Sequence, residues 1–198
     1  KRGLDIARHP NWVWDVAIKG KPLTFGNLTD AVPNANSLDD FKAWVDSQFD
    51  ASMTWQDLGW IRDNWSGNLI IKGILDSEDA KEAVKLGADA IVVSNHGGRQ
   101  LDSAPAAISV LPKVREALGP DFPLIFDSGV RSGEDIARAL ASGADFVMVG
   151  RPALYALGAG GPSGFDALLQ LLINELSTVM AQLGCRHTRE LNETVRVL

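Results

Sequence analysis

A twelve-residue pattern occurs twice in this chain, and it restricts the possible folds more than any other feature. The stretch Glu78-Asp79-Ala-Lys-Glu-Ala-Val-Lys-Leu-Gly87-Ala88-Asp89 returns as Glu134-Asp135-Ile-Ala-Arg-Ala-Leu-Ala-Ser-Gly143-Ala144-Asp145, and an apolar run follows each copy. Both copies open on acidic residues, which a helix dipole favours in the first turn. Both close on glycine, which suits the left-handed residue at a helix end. The repeat therefore marks two equivalent helix-to-strand steps, set in strand–helix–strand units of about thirty residues.

The surrounding pattern extends these units. Apolar strands are expected at 69–74, 90–94, 123–126 and 146–149. Helices are expected at 77–86, 105–118 (interrupted at Pro112), 133–142 and about 164–183. Strands that are apolar throughout are buried on both faces, which implies parallel strands covered by helices. Four βα units do not close a barrel, which takes eight and about 250 residues. The expected architecture is α/β, half of a (βα)8 barrel, since an open sheet would have to cover two edges and both faces with few helices.

The first third is different. All six tryptophans precede residue 66, and turn signals stand at Lys19-Gly-Lys-Pro22, Gly26-Asn27 and Pro33-Asn34. Two short helices are expected at 38–48 and 54–64, capped by Ser37 and Thr54. Residues 1–65 thus read as an irregular, Trp-rich helical segment, and 66–198 as the four βα units with a C-terminal helix. The chain opens on Lys1, which leads us to expect a piece of a longer protein.

Composition excludes several function classes. The 198 residues carry a formal charge of −6, which argues against nucleic acid. No apolar run is long enough to span a bilayer. The single cysteine, Cys185, has no internal disulfide partner, so a reducing compartment, the cytoplasm, is expected. Cys185 reads as a small residue after a helix, and His9 and His187 read as surface residues. No metal site is expected.

Chemistry in a parallel α/β protein gathers at the C-terminal ends of its strands. Here those ends read Lys72-Gly73, then Ser94-Asn95-His96-Gly97-Gly98-Arg99, then Asp127-Ser128-Gly129-Val130-Arg131, then Gly150-Arg151-Pro152. The last two suit a phosphate. Glycine lets backbone amides approach an anion, a helix N-terminus adds positive potential, and arginine gives forked hydrogen bonds. The second suits catalysis, because histidine is the residue type suited to proton transfer near neutral pH and Arg99 can clasp a carboxylate. A hydrogen-bonded turn histidine is the alternative for His96. Lys72 lies within an apolar strand, and either a salt bridge to a residue such as Asp127 or a charge held against an anionic cofactor would explain it.

At Ser94-Asn-His-Gly-Gly-Arg-Gln-Leu-Asp102 the chain resembles the FMN-dependent 2-hydroxy-acid dehydrogenase/oxidase family, which includes glycolate oxidase, lactate oxidase, mandelate dehydrogenase and bacterial L-lactate dehydrogenases. The resemblance continues through Ile71-Lys-Gly-Ile74, Asp127-Ser-Gly-Val-Arg131, Gly143-Ala-Asp145 and Gly150-Arg-Pro152, and covers at least residues 60–185. The early Asn11-Trp-Val-Trp-Asp-Val16, with Gly26-Asn27, is most similar to the bacterial L-lactate dehydrogenases.

The resemblance implies the C-terminal half of the barrel and FMN as cofactor. It implies His96 as the active-site base and Arg99 as the clamp on the substrate carboxylate. Lys72 would lie beside the flavin N1 and O2, Ser94 would line the flavin site, and Asp127 would bind the ribityl chain. Ser128 is counted among the cofactor contacts, and Gly129, Arg131, Gly150 and Arg151 resemble the phosphate cradle. The implied reaction oxidises an L-2-hydroxy acid, foremost L-lactate, to the 2-oxo acid. The implied partners are the N-terminal half of the same barrel, an electron acceptor (oxygen, quinone or cytochrome) and further copies in a tetramer, with peripheral contact to the inner membrane as a second setting. The family's front half is missing from this chain, and either a nick in its long loop or a first half that is not in this chain is the expected reason. The competing readings are another phosphate-binding barrel enzyme, such as an FMN-dependent isomerase, and an inactive half-barrel fragment.

Overall fold

A computed structural model describes residues 2–20, 25–32 and 37–191. The expected turns at Pro22 and at Pro33-Asn34 lie outside these residues. The chain divides into two compact units, Lys1–Met53 and Thr54–Leu198.

The first unit is more helical than its sequence suggests. Helix α1 spans Arg2–Ala7 and α2 spans Pro10–Trp12, running on into a wider π-helical turn at Val13–Ile18. Pro10 starts α2, where its missing N–H is no loss. A short 3-10 turn at Gly26–Leu28 follows, then α3 over Leu38–Gln48. Ser37 caps α3 as expected: its hydroxyl accepts the Asp40 amide at 3.2 Å, and the Asp40 carboxylate accepts the Ser37 amide at 2.9 Å.

The second unit alternates helices and strands. It comprises α4 (Trp55–Asn64), β1 (Ile70–Ile74), α5 (Ser77–Lys85), β2 (Ala90–Val93), α6 (Ala107–Leu118), β3 (Leu124–Phe126), α7 (Gly133–Ala141), β4 (Phe146–Val147) and α8 (Arg151–Leu183). At the start of α4 both the amide and the hydroxyl of Thr54 donate to the Asp57 carboxylate at 2.7 Å. Two expected boundaries change. Helix α6 runs through Pro112 without a break. The carbonyl that loses its partner belongs to Ile108, which is exposed, so water can take its place. Helix α8 begins well before residue 164, at Arg151, and is interrupted at Gly161, whose φ is 58° and which precedes Pro162.

The four strands form one parallel sheet in the order β1-β2-β3-β4. Its register separates two faces. Ile91, Val93, Leu124 and Phe126 point to the side where α5, α6 and α7 pack, and with Ala83, Leu111 and Val114 they make the core. The opposite face carries the row Lys72–Val92–Ile125–Phe146. Helices cover only the first face. On the second, Val92 is buried at 3% but Ile70 is 50% exposed and Phe146 is 70% exposed, so the expectation of burial on both faces is met there only at the centre of the sheet.

The sequence repeat has a structural counterpart. Arg62 of α4 donates to the Gly87 carbonyl at 3.2 Å, to the carbonyls of Gly67 and Trp65, and to the Asp89 carboxylate at 3.1 Å, while Asp89 accepts the Leu69 amide at 2.7 Å. Arg115 of α6 does the same two βα units later. It binds the Gly143 carbonyl at 2.8 Å and the Asp145 carboxylate at 2.6 Å, and Asp145 accepts the Leu124 amide at 2.8 Å. The Gly-Ala-Asp that closes each copy of the repeat is therefore the target of an arginine clamp from an earlier helix.

Candidate active site

The C-terminal ends of the four strands open on one cavity of about 600 Å³. This lies within the usual size of small-molecule sites, roughly 300–1,000 Å³. Lys72, His96, Arg99, Asp127, Ser128, Gly129, Arg131, Gly150 and Arg151 all line it. Ser94 sits just behind, fully buried. Met148, Val149, Pro152 and Leu154 complete the wall on the β4 side. Strand pairing brings these residues to one edge, since each lies near the end of a strand or in the turn that follows it.

At the base of the cavity lies a ring of four side chains. Lys72 Nζ donates to Ser94 Oγ at 2.7 Å and pairs with Asp127 Oδ2 at 2.7 Å. Ser128 Oγ donates to Asp127 Oδ1 at 2.8 Å and stands 3.4 Å from Ser94 Oγ. Of the two explanations for Lys72, the salt bridge is present, and the charge also faces the cavity. Burial pushes the Asp127 carboxyl up, but the Lys72 ammonium and the hydroxyls of Ser94 and Ser128 outweigh it and hold the group below the ordinary aspartate range. A depressed carboxyl contributes stability above its unfolded value, near pH 4, and loses it as pH falls through the folded value. Thermal melts of wild type and Asp127→Asn should thus differ most at neutral pH and converge below about pH 4. A gap that is unchanged from pH 7 to pH 3 would remove the Lys72–Asp127 pair as its source.

The turn after β2 is tightly wound. His96, Gly97 and Gly98 have φ values of 56°, 67° and 71°. Glycine takes this region freely and histidine only at a cost, so the two glycines let the turn coil and His96 bears the strain. Asn95 caps it: its Oδ1 accepts the Gly98 amide at 3.2 Å and its Nδ2 donates to the Pro105 carbonyl at 3.2 Å. Arg151 reaches across to the Gly97 carbonyl at 2.7 Å. The imidazole of His96 lies over Gly73, where an added Cβ would come within 2.8 Å of Cε1. Gly73 has φ 101° and causes the slip in register between Lys72 and Ile74. The sequence reading passed over Gly73 and Asn95 as site residues, although both sit in the strand-end stretches it singled out.

The electrostatics favour an anion. The cavity gathers Lys72, Arg99, Arg131 and Arg151 against one carboxylate, Asp127, in a chain that is acidic overall. The guanidinium groups of Arg99 and Arg131, and the imidazole of His96, have no hydrogen-bond or ion-pair partner among the described residues. A Cβ placed on Gly129 or Gly150 would meet nothing within 4 Å, and the amides of both donate to no acceptor among the described residues. Arg151 also begins α8, and its own backbone amide has no acceptor among the described residues. By contrast His9 and His187 are exposed, and Cys185 is buried just after the cap of α8 at Gly184. No group of residues among those described could hold a metal ion.

The family model described as FMN-dependent dehydrogenase matches residues 1–197. The chain belongs to that family. Within the FMN-dependent dehydrogenases it is 51% identical over 180 residues to the L-lactate dehydrogenase of Actinobacillus pleuropneumoniae serotype 5b, covering 91% of this chain and 47% of the relative. It is 45% identical to the L-lactate dehydrogenase of Acinetobacter baylyi, covering 100% of this chain and 51% of that one. Among solved structures it is similar to a monotopic membrane protein, (S)-mandelate dehydrogenase, with a TM-score of 0.77 at 41% identity over 81% of this chain and 43% of the other. The lactate oxidase of Pediococcus acidilactici gives a TM-score of 0.71 at 36% identity, over 81% of this chain and 47% of the other. The chain spans about half the length of the curated relatives it matches. Among the described residues, no helix is long and apolar enough to cross a membrane.

Proposed function

We propose that this chain supplies the flavin-phosphate cradle and the proton-handling residues of an enzyme that oxidises an L-2-hydroxy acid, foremost L-lactate, to the 2-oxo acid. The observation that carries this reading is the cavity itself, where a histidine and an arginine whose side chains have no partner among the described residues stand three residues apart beside a cationic, glycine-lined cradle. FMN fits the donors present: unspent amides and open backbone at Gly129 and Gly150, with Arg131 and Arg151, suit its phosphate. Asp127 would suit its polar chain and Lys72 would supply a positive charge to its ring, while Ser94, fully buried, backs the site from behind Lys72. When bound, FMN provides the acceptor for the two electrons leaving the substrate.

The chain's own residues do the rest. Arg99 holds the substrate carboxylate through its forked donors, which fixes the 2-carbon relative to His96. His96 takes a substrate proton, and its place over Gly73, with no side chain beneath, leaves the ring room to do so.

We also read residues 66–198 as the last four βα units of a (βα)8 barrel, with 1–65 following the fourth strand. The sequential strand order and the bare face carrying Ile70 and Phe146 support this, since a second half-barrel would cover that face. Contact with a membrane surface by the exposed Trp12 and Trp14 is consistent with the monotopic mandelate dehydrogenase relative.

Anaerobic addition of L-lactate to the purified full-length protein should bleach its flavin absorbance. Arg99→Met should keep FMN and raise KM for L-lactate by roughly 100-fold, as loss of a charged hydrogen-bonding pair predicts. Unchanged turnover in that variant would favour an FMN-dependent isomerase instead.

A further inference from the structure

The hydroxyl of Ser128 has no capacity left for a ligand. A serine hydroxyl offers one proton and two lone pairs. Its proton goes to Asp127 Oδ1 at 2.8 Å, and its lone pairs take the amides of Gly97 at 3.1 Å and Asn95 at 3.2 Å. The backbone supplies a second, independent observation. Ser128 has φ 85°, a conformation that glycine adopts freely and serine does not, and its neighbour Gly129 has the same φ. A glycine at 128 would fit without strain, so what serine contributes here is the hydroxyl.

The residues held by that hydroxyl flank His96 on both sides. His96 itself donates its amide to Ser94 Oγ at 3.0 Å. Three successive amides, those of residues 95 to 97, are thus fixed by two hydroxyls. Those hydroxyls in turn meet Lys72 and Asp127. The strained turn that carries the imidazole is therefore tied to the salt-bridged pair at the base of the cavity.

We propose that Ser128 is a positioning residue that holds the His96 turn against Asp127, and that it contacts neither cofactor nor substrate. The proposal rests on the reading of His96 as the base. Removing the tie leaves a loosened turn, and a small displacement of a reacting group costs rate more than it costs binding.

The test compares full-length, FMN-loaded wild type with Ser128→Gly, which deletes the hydroxyl and relieves the backbone. The melting temperature should stay close to wild type. Amide exchange at Asn95 and Gly97 should quicken by about tenfold, as loss of one hydrogen bond predicts. With L-lactate, kcat should fall by about tenfold while KM and FMN affinity hold. Ser128→Ala, which keeps the strain but lacks the hydroxyl, should show the same exchange if the glycine variant fails to fold. Unchanged exchange at both amides overturns the proposal, as does faster exchange with unchanged kcat. Weakened FMN binding with unchanged exchange also overturns it, because Ser128 would then be a cofactor contact. If His96→Ala still turns over, the base assignment fails on its own, and the exchange result alone decides whether Ser128 holds the turn.

Discussion

His96→Ala should reduce the rate of flavin reduction by L-lactate by roughly 10³-fold and leave FMN bound, as expected when a general base is removed. The reason is local. The imidazole is exposed to the cavity and has no side-chain partner among the described residues, so truncating it strands no buried polar group. The backbone at 96 sits at φ 56°, where alanine is strained and asparagine is tolerated. His96→Asn therefore serves as the second variant, keeping the turn while lacking the base. Rapid-mixing measurement of flavin bleaching under anaerobic conditions gives the rate, and absorbance of the released flavin gives occupancy. A loss of FMN in both variants, with turnover per bound flavin unchanged, would make His96 a turn residue and nothing more.

Gly133→Ala should destabilise the protein by about 3 kcal/mol, because the new methyl group has nowhere to go. Gly133 is the first residue of α7 and packs against α8. A Cβ there would lie 2.2 Å from the Leu176 amide nitrogen and 2.7 Å from the Glu175 carbonyl carbon. These are backbone atoms of a long helix and cannot step aside singly. The glycine amide also donates to Glu175 Oε2 at 2.7 Å, a bond that the separation of the helices would break. Gly158→Ala, in α8, gives the contrast: an added Cβ meets nothing within 4 Å, and the exchange should be neutral or stabilising by up to about 1 kcal/mol. Chemical denaturation of the two variants measures both. Equal stability for the two would mean that α7 and α8 are not held as closely as their packing indicates.

The glycine at 133 also illustrates what a sequence conceals. Its helix was legible, since the repeat opens on Glu134 and Asp135 and announces the end at Gly143; the structure adds a reciprocal cap between Ser132 and Asp135. Its contact with Glu175 was not, because nothing local encodes a neighbour 42 residues away. The same division runs through the site. Strand ends were readable from apolar runs, so Lys72, His96, Asp127 and Gly150 could be placed at one edge. That edge then gathered them in one cavity. Gly73 was harder, because its role depends on the ring of His96 lying above it, a contact between two strands. The helical start of α8 was hidden by its glycines, which read as loop. In the first unit, π-helical and 3-10 turns leave no clean period of 3.6 to detect.

The two arginine clamps have a consequence for how this surface can change. One closes the chain between Arg62 and Asp89, a span of 27 residues, and the other between Arg115 and Asp145, a span of 30. Between them runs the stretch from β2 to the middle of α6, which includes His96 and Arg99 and belongs to neither closure. Length or sequence can therefore vary between Arg99 and Pro105, ahead of the buried face of α6, without loosening either fastening. The scaffold is stitched on both sides of this short loop at the mouth of the cavity, and the loop alone is left free to be retailored.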